Sequence, residues 1–440
     1  MKTAVLLLFW VASSHALIPA EVKQQAELRV THQINPSIAL AVYDQGLTDY
    51  HVSGWQDLEN ERQADTGTVY EIGSISKTFT GLLLARMATS SQLSIDDPVE
   101  QHWSELVQLR DANDQPITLK QLSTHTSGLP RVPNNMPVFG DDPYGSYDRQ
   151  LMLEALQTIQ PGSAGNRYAY SNLAVGLLGE TLANIGRHSF NQLVESHILK
   201  PLNLRATYMT LDQVPQEHLA IGYSGQTSTS PWNFQALAGA GSIRSSITDL
   251  LAYGVAYLNP PEELSKAMDL ATTIHYQQEQ LKVGLGWHVR NGVYWHNGGT
   301  GGFRSMLMVD PQRGKVVAAI TNNSRNDVED LAIHLMDASQ PMREYDFPVP
   351  ITTDALKVFS GTFQQTGSDR QIVIKLLHDQ LFFTAEKQPR QALIYVGDER
   401  FKFSMIDVRI QFNQDPQGVI ESLDLHGWGE PQKYLKVADQ

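Results

Sequence analysis

Ser74 and Lys77 stand three positions apart, and Lys77 is the only lysine of the chain with a serine at that distance before it. On a helix opening near Ser74 the two side chains would share one face, about 5–6 Å apart at Cβ. A serine hydroxyl is a weak nucleophile at neutral pH and needs an adjacent base or cation. A backbone N–H at a helix N-terminus also favours an oxyanion. The pair therefore reads as nucleophile and activator, although a capping serine before a surface lysine accounts for the same tetrapeptide. A second element, Tyr170-Ser171-Asn172, lies about a hundred residues later, just before another helical segment. Tyr170 can move protons if nearby cations, Lys77 among them, lower its usual pKa of about 10. Asn172 offers a donor and an acceptor, able to hold Lys77 and a substrate amide. Alone, the tripeptide reads as a turn. The third element is His296-Asn297-Gly298-Gly299-Thr300-Gly301-Gly302-Phe303, after the strand-like Val293–Trp295. Glycines at a strand edge let backbone approach a ligand, so an N–H here could complete an oxyanion hole with that of Ser74. A glycine-rich hairpin is the plainer alternative.

The elements that must position these residues follow from periodicity. Glu21 to Ile34 is predicted helical, and Ser37–Tyr43 and Tyr50–Gly54 are predicted strands around a Gly-containing turn. Phe79, Leu82, Leu83 and Met87 recur at spacings of three and four, one apolar helix face. A mostly helical middle runs from Leu119 to about Asn259, with helices expected at Tyr147–Gln157, Asn172–Asn184, Phe190–Leu199 and Ile247–Leu258. Ser246 with Asp249 reads as a helix cap. Strand character returns at Val283–Val289, Val293–His296, Ser305–Val309 and Val316–Thr321, and a helix is expected at Val328–Met336. Strands at both ends with helices between predict one sheet built from the two termini, with a helical lobe inserted. Pro341, Pro348 and Pro350 mark a linker. Beyond it, alternating segments at Ile372–Leu376, Leu381–Thr384, Leu393–Val396, Phe401–Met405, Arg409–Phe412 and Val419–Leu425 make an all-β module with no nucleophile motif. The expected division is 1–16 signal peptide, 17–345 hydrolase domain and 346–440 β-rich accessory domain.

Composition narrows the function. The 440 residues are 41% hydrophobic and 18% charged, in the globular range, with a net charge of −14. So acidic a surface repels phosphate backbones and anionic lipid, and no Lys/Arg run offsets it, so no nucleic-acid partner is expected. Lys2, the apolar run Ala4–Ala12 and the small residues of Ser14-His15-Ala16 read as an export signal cleaved near Ala16, too short to span a bilayer. A periplasmic or extracellular location and no membrane span are expected. The chain has no cysteine, which excludes disulfides, a thiol nucleophile and thiolate-bound zinc. No Gly-x-Ser-x-Gly, His-Glu-x-x-His, Walker or dinucleotide pattern occurs.

In their order and spacing these motifs resemble the serine β-lactamase and penicillin-recognising family, whose S-x-x-K signature they carry. Within it, the match is to class C β-lactamases and their D,D-peptidase and esterase relatives. The segments are Glu71–Gly81, Asp97-Pro98-Val99, Leu122–Pro130, Tyr170-Ser171-Asn172 and Gly298–Phe303. The resemblance covers about residues 20 to 340. It implies an α/β (α+β) fold, a mainly antiparallel sheet flanked by helices with an inserted helical lobe and the site in the cleft between them. It implies that Ser74 forms an acyl-enzyme, that Lys77 and Tyr170 share the proton transfers, and that Asn172 orients the substrate amide. Ser74 and Gly299 would supply the oxyanion-hole N–H groups. No metal or organic cofactor is implied, and a monomer is expected. One position departs: class C enzymes carry Lys-Thr-Gly where this chain has His296-Asn297-Gly298. Histidine is mostly uncharged at neutral pH, so recognition of an anionic β-lactam or D-alanyl terminus should weaken unless Arg304 or Arg325 compensates. The expected activities are hydrolysis of β-lactams or D-amino-acid peptides, or of short acyl esters; a catalytically silent binder of cell-wall fragments is the third reading. His125 and the segment Phe359–Phe363 are expected to be structural.

Overall fold

The computed structural model describes residues 16–105, 108–137, 141–386, 388, 390–404, 408–427 and 429–437. All but the last residue of the expected export signal lies outside them. The chain forms two compact units that meet in sequence between Arg343 and Glu344.

The first unit is organised by a nine-stranded antiparallel sheet. Across it run Arg62–Gln63, Leu47–Asp57, Ser37–Asp44, Lys315–Thr321, Arg304–Asp310, Val293–Gly299, His288–Arg290, Leu281–Val283 and Tyr276–Gln278. The two ends of the unit thus pair with each other, Ile38 opposite Thr321 and Asp44 opposite Lys315. Gln45 and Gly46, both at positive φ, make the two-residue turn of the first hairpin. The strand Ser37–Asp44 is buried on both faces because the sheet is covered on both. Ile38, Leu40 and Val42 pack with Val22, Ala26, Leu331 and Leu335 of the terminal helices Ala20–Thr31 and Glu329–Met336. Ala39 and Ala41 face the larger core of the helical lobe. Small residues on that face admit a close helix: a Cβ on Gly254 of Ile247–Ala256 would lie 2.6 Å from Val316 Cγ1. Ser246 caps that helix, its Oγ accepting from the Asp249 N–H at 3.2 Å.

At the centre lies the helix Ser76–Thr89, preceded by a single 3-10 turn, Gly73–Ile75, that carries Ser74. The expected helix start at Ser74 is therefore two residues early. The helix is also buried all round and not on one face, with Thr78, Thr80, Gly81, Leu84 and Ala85 as inaccessible as Phe79 and Leu82. The lobe around it contains Arg149–Thr158, Asn172–Gly186, Phe190–Val194 with a π-helical continuation to Leu199, and Glu262–Thr272, which extends the helical region beyond Asn259. The strand expected over Val283–Val289 is instead two short strands broken at Gly284–Trp287. A Cβ on Gly286 there would run into the Lys77 carbonyl, so this break packs against the central helix.

The second unit is a closed eight-stranded antiparallel barrel spanning Gly361 to Val437, entered by the short helix Thr353–Lys357. Alternate residues fill its interior, among them Phe363, Ile374, Phe383, Phe401, Phe412 and Leu423. The first strand, Gly361–Gln365, closes on the last, Gln432–Val437, with Thr362 opposite Val437. Those two seam strands are the ones that periodicity did not predict; the expected end of another strand, Met405, lies outside the described residues.

Candidate active site

Ser74 owes its setting to two glycines. Gly73 has φ +52°, and a Cβ there would sit 2.6 Å from the Gly299 nitrogen. Gly298 passes the same turn so closely that a Cβ would overlap the Ile72 carbonyl oxygen. Ser305 Oγ ties the two segments together by donating to that oxygen at 2.9 Å. The glycine run therefore brings backbone against the nucleophile turn, which places the Gly299 peptide beside Ser74. The strand Val293–Gly299 pairs with His288–Arg290 only as far as Trp295, so its outer edge at Asn297–Gly299 faces the cleft.

Lys77 is fully buried, its Nζ 3.0 Å from Ser74 Oγ and 2.7 Å from the Ala240 carbonyl oxygen. No carboxylate pairs with it among the described residues. Burial, and secondarily the field of Arg131, push its pKa well below the usual lysine value. Nζ donates to both oxygens, Ser74 Oγ and the Ala240 carbonyl. Tyr170 lies across from this pair, its ring centroid 4.9 Å from Lys77 Nζ and 5.0 Å from Arg131 Cζ. The expected lowering of the Tyr170 pKa is overturned. Desolvation raises it to about 12, against the opposing effects of a hydrogen bond with Ser74 and the Arg131 charge. Burial also disfavours the charge of the very cation that was to stabilise a phenolate.

His125 holds the tyrosine in place. Its ring lies 4.3 Å from that of Tyr170, and its Nδ1 accepts the Ser171 N–H at 3.1 Å. Ser171 Oγ in turn caps the helix Asn172–Gly186, accepting from the Ala174 N–H at 2.9 Å. Asn172 donates from Nδ2 to Tyr144 Oη at 3.2 Å, while its Oδ1 is buried without a hydrogen-bond partner. Its expected bond to Lys77 is not formed, since both Lys77 contacts go to Ser74 and Ala240.

A cleft of about 500 Å³ opens over Ser74, with Tyr170, Gly298, Gly299 and Arg304 on its walls. His296 and Asn172 are not wall residues. His296 is 1% exposed, with Nδ1 2.6 Å from the Asn297 carbonyl oxygen and Nε2 unpartnered. Burial, with the charges of His288 and Lys77 adding to it, keeps its pKa well below 6.5. The reason is strand alternation: Asn297 points to the cleft, so His296 points inward. Of the two arginines expected to compensate, Arg325 is exposed and hydrogen-bonded to Ser224, away from the cleft walls. Arg304 is on the wall, but its Nη1 is held by the Thr300 and Phe303 carbonyls at 3.1 and 3.0 Å. The exposed cation on the wall is Arg131, one residue past the motif Leu122–Pro130. Also unforeseen are Tyr168, hydrogen-bonded to His288 Nε2 at 2.8 Å, and Glu329, bonded to Asn297. Among the described residues no group of three or more His, Asp or Glu is arranged to hold a metal ion.

A serine beside a buried lysine and a tyrosine, in a cleft between an antiparallel sheet and a helical lobe, defines the penicillin-recognising class. Residues 22–340 match the family described as Beta-lactamase, and the chain belongs to it. It is 25% identical over 331 residues to protein flp of Staphylococcus aureus strain MW2, covering 71% of this chain and 66% of that protein. It is 28% identical over 265 residues to a beta-lactamase of Escherichia coli strain K12, covering 59% of this chain and 67% of that one. The matches thus span about two thirds of those relatives' length. An octameric penicillin-binding protein homologue from Pyrococcus abyssi shares the fold at 20% identity, with a TM-score of 0.67 over 94% of this chain and 99% of that one. The expectation of a monomer draws no support from that likeness. No helix among the described residues is long and apolar enough to cross a membrane.

Proposed function

We propose that the chain is a serine hydrolase working through an acyl-enzyme at Ser74. The observation that carries this reading is the buried Lys77 amine, paired with no carboxylate among the described residues and 3.0 Å from Ser74 Oγ. A carbonyl seated between Ser74 and Gly299 would meet the Oγ nucleophile on one side and the N–H groups of Ser74 and Gly299 at its oxygen. Lys77 takes the hydroxyl proton as Oγ attacks. Tyr170 gives its own proton to the leaving group and regains one from Lys77, so no phenolate need persist. Water then reverses the sequence: it attacks the ester carbonyl as Tyr170 takes its proton and passes its own to Lys77. Lys77 returns a proton to the departing Ser74 Oγ, and the acyl group leaves as the carboxylic acid.

By family, the amide bond of a β-lactam or a D-amino-acid peptide is the substrate of the first reading, as in class C β-lactamases and D,D-peptidases. A second reading, a carboxylesterase for short acyl esters, is favoured by one observation: the His296 imidazole is buried and neutral, leaving no cation where those β-lactamases carry lysine. Export, from the N-terminal pattern, would put either activity outside the cytoplasmic membrane. Intact mass after exposure to penicillin or a fluorophosphonate should show a single adduct, absent in Ser74→Ala. Labelling by neither reagent overturns the proposal, and p-nitrophenyl ester turnover against nitrocefin separates the two readings.

A further inference from the structure

The wall of the cleft carries a carboxylate that the acyl-transfer steps do not use. Glu329 lines the same cavity as Ser74, and Asn297, also on the wall, donates from Nδ2 to Glu329 Oε1 at 2.7 Å. The neighbouring acids are ion-paired: Asp327 meets Arg343 at 3.1 Å, and Asp330 meets Arg29. Glu329 forms no ion pair among the described residues. The charges of Arg304 and Arg343 reach Glu329 without contact, and Arg304 directs Nη1 to the carbonyls of Thr300 and Phe303. Arg131, the exposed cation of the cleft, stands over the Tyr170 ring. Glu329 is thus an oriented, half-buried carboxylate facing a space that holds the nucleophile, and partial desolvation makes a counter-ion favourable there. The Asn297 bond fixes its direction, as a recognition group requires.

We propose that Glu329, oriented by Asn297, recognises a positively charged group on the substrate, so that the cleft selects ammonium-bearing acyl donors over carboxylate-bearing ones. This rests on the acyl-serine reading above, and it adds a substrate class to it. The site is distinct from His296, which is buried beneath the cleft with its ring 6.3 Å from that of Tyr170.

The test uses two matched series with the full chain. In one, p-nitrophenyl esters carry an acyl chain ending in ammonium, methyl or carboxylate; in the other, acetate esters of alcohols carry the same three ends. The expected result is about a tenfold higher kcat/KM for the ammonium member than for the methyl member in at least one series, with the carboxylate member lowest. That preference should shrink as salt is raised, because charge attraction across a solvated cleft is screened. In Glu329→Gln, which can still accept the Asn297 hydrogen bond, the ammonium-to-methyl ratio should fall to about one; a matching melting curve shows that the variant is folded. Equal turnover of all three members in both series, or a preference that survives Glu329→Gln, overturns the inference alone. Failure of a fluorophosphonate to label Ser74 in the unaltered protein overturns the hydrolase reading and this inference with it.

Discussion

Gly298→Ala tests whether the cleft depends on backbone contact between the glycine strand and the Ser74 turn. The added methyl would sit 2.9 Å from the Ile72 carbonyl carbon and closer still to the Ile72 oxygen and Ser305 Oγ. Ordinary carbon contacts begin near 3.5 Å, so the strand must retreat by at least about half an ångström. It cannot do so freely, because Ser305 bonds to the Ile72 carbonyl at 2.9 Å and Gly298 is in register with Ser305. Overpacking of this kind costs about 1–3 kcal/mol of stability. The larger consequence is for Gly299, whose N–H moves with the strand. Misplacement on the order of 1 Å can lower turnover about a hundredfold, so kcat for a p-nitrophenyl ester should drop ~10- to 100-fold with KM little changed. Gly46→Ala supplies the contrast: that glycine has φ +92° and open space around it, so it should cost stability with no change in kcat. Thermal melting and steady-state kinetics on both variants decide the matter. If Gly298→Ala keeps kcat within twofold, contact between strand and turn does not set the geometry.

Lys77→Met should abolish acylation, seen as loss of fluorophosphonate labelling, while raising stability at neutral pH. The sign follows from linkage: the folded pKa is depressed, so between it and 10.5 the unfolded chain binds the extra proton. The destabilisation is therefore full below the folded pKa and shrinks as pH rises to 10.5. The gain from Lys77→Met, measured by denaturant unfolding, should accordingly fade toward pH 10.5. In the unaltered enzyme, kcat/KM should rise with pH as Lys77 deprotonates, and should not fall until Tyr170 ionises near 12; a basic limb near pH 8 would contradict a protonated Tyr170. His296→Lys should fail to create β-lactam binding and should lower stability by about 2 kcal/mol or more, since the new ammonium enters a buried site beside Lys77 and His288; nitrocefin kinetics and a melting curve check both halves.

The sequence carried the sheet and the nucleophile well because both are encoded locally. Ser74 and Lys77 are one turn apart, and Val316–Ile320 is apolar throughout because the sheet is covered on both faces. What periodicity could not carry was burial by the tertiary surroundings. It assigned the central helix a single apolar face, while the fold encloses that helix, and it set Tyr170 beside a cation whose charge enclosure disfavours. Arg131, Tyr168, His288 and Glu329 come from four separate segments and meet only through topology. The orientation of His296 was readable in principle from strand alternation, given Asn297 on the cleft side. The barrel seam escaped because each of its strands, Gly361–Gln365 and Gln432–Val437, is mostly half-exposed and shows weak alternation.

The pairing of Ser37–Asp44 with Lys315–Thr321 also constrains the order in which the chain can assemble. Ser37 donates two hydrogen bonds, from its N–H at 2.8 Å and its hydroxyl at 2.7 Å, to Asn322 Oδ1 across 285 positions. Closing so long a loop costs entropy before any contact returns it, and such topologies fold slowly. During synthesis, the strand Ser37–Asp44 emerges first yet waits for nearly all of the unit before it finds its neighbour. Until then its isoleucine, leucine and valine side chains and one unpaired edge are open to other chains. A nascent or truncated product ending before Lys315 therefore exposes a sticky strand, whereas one that reaches Met336 can both pair that edge and cover those side chains.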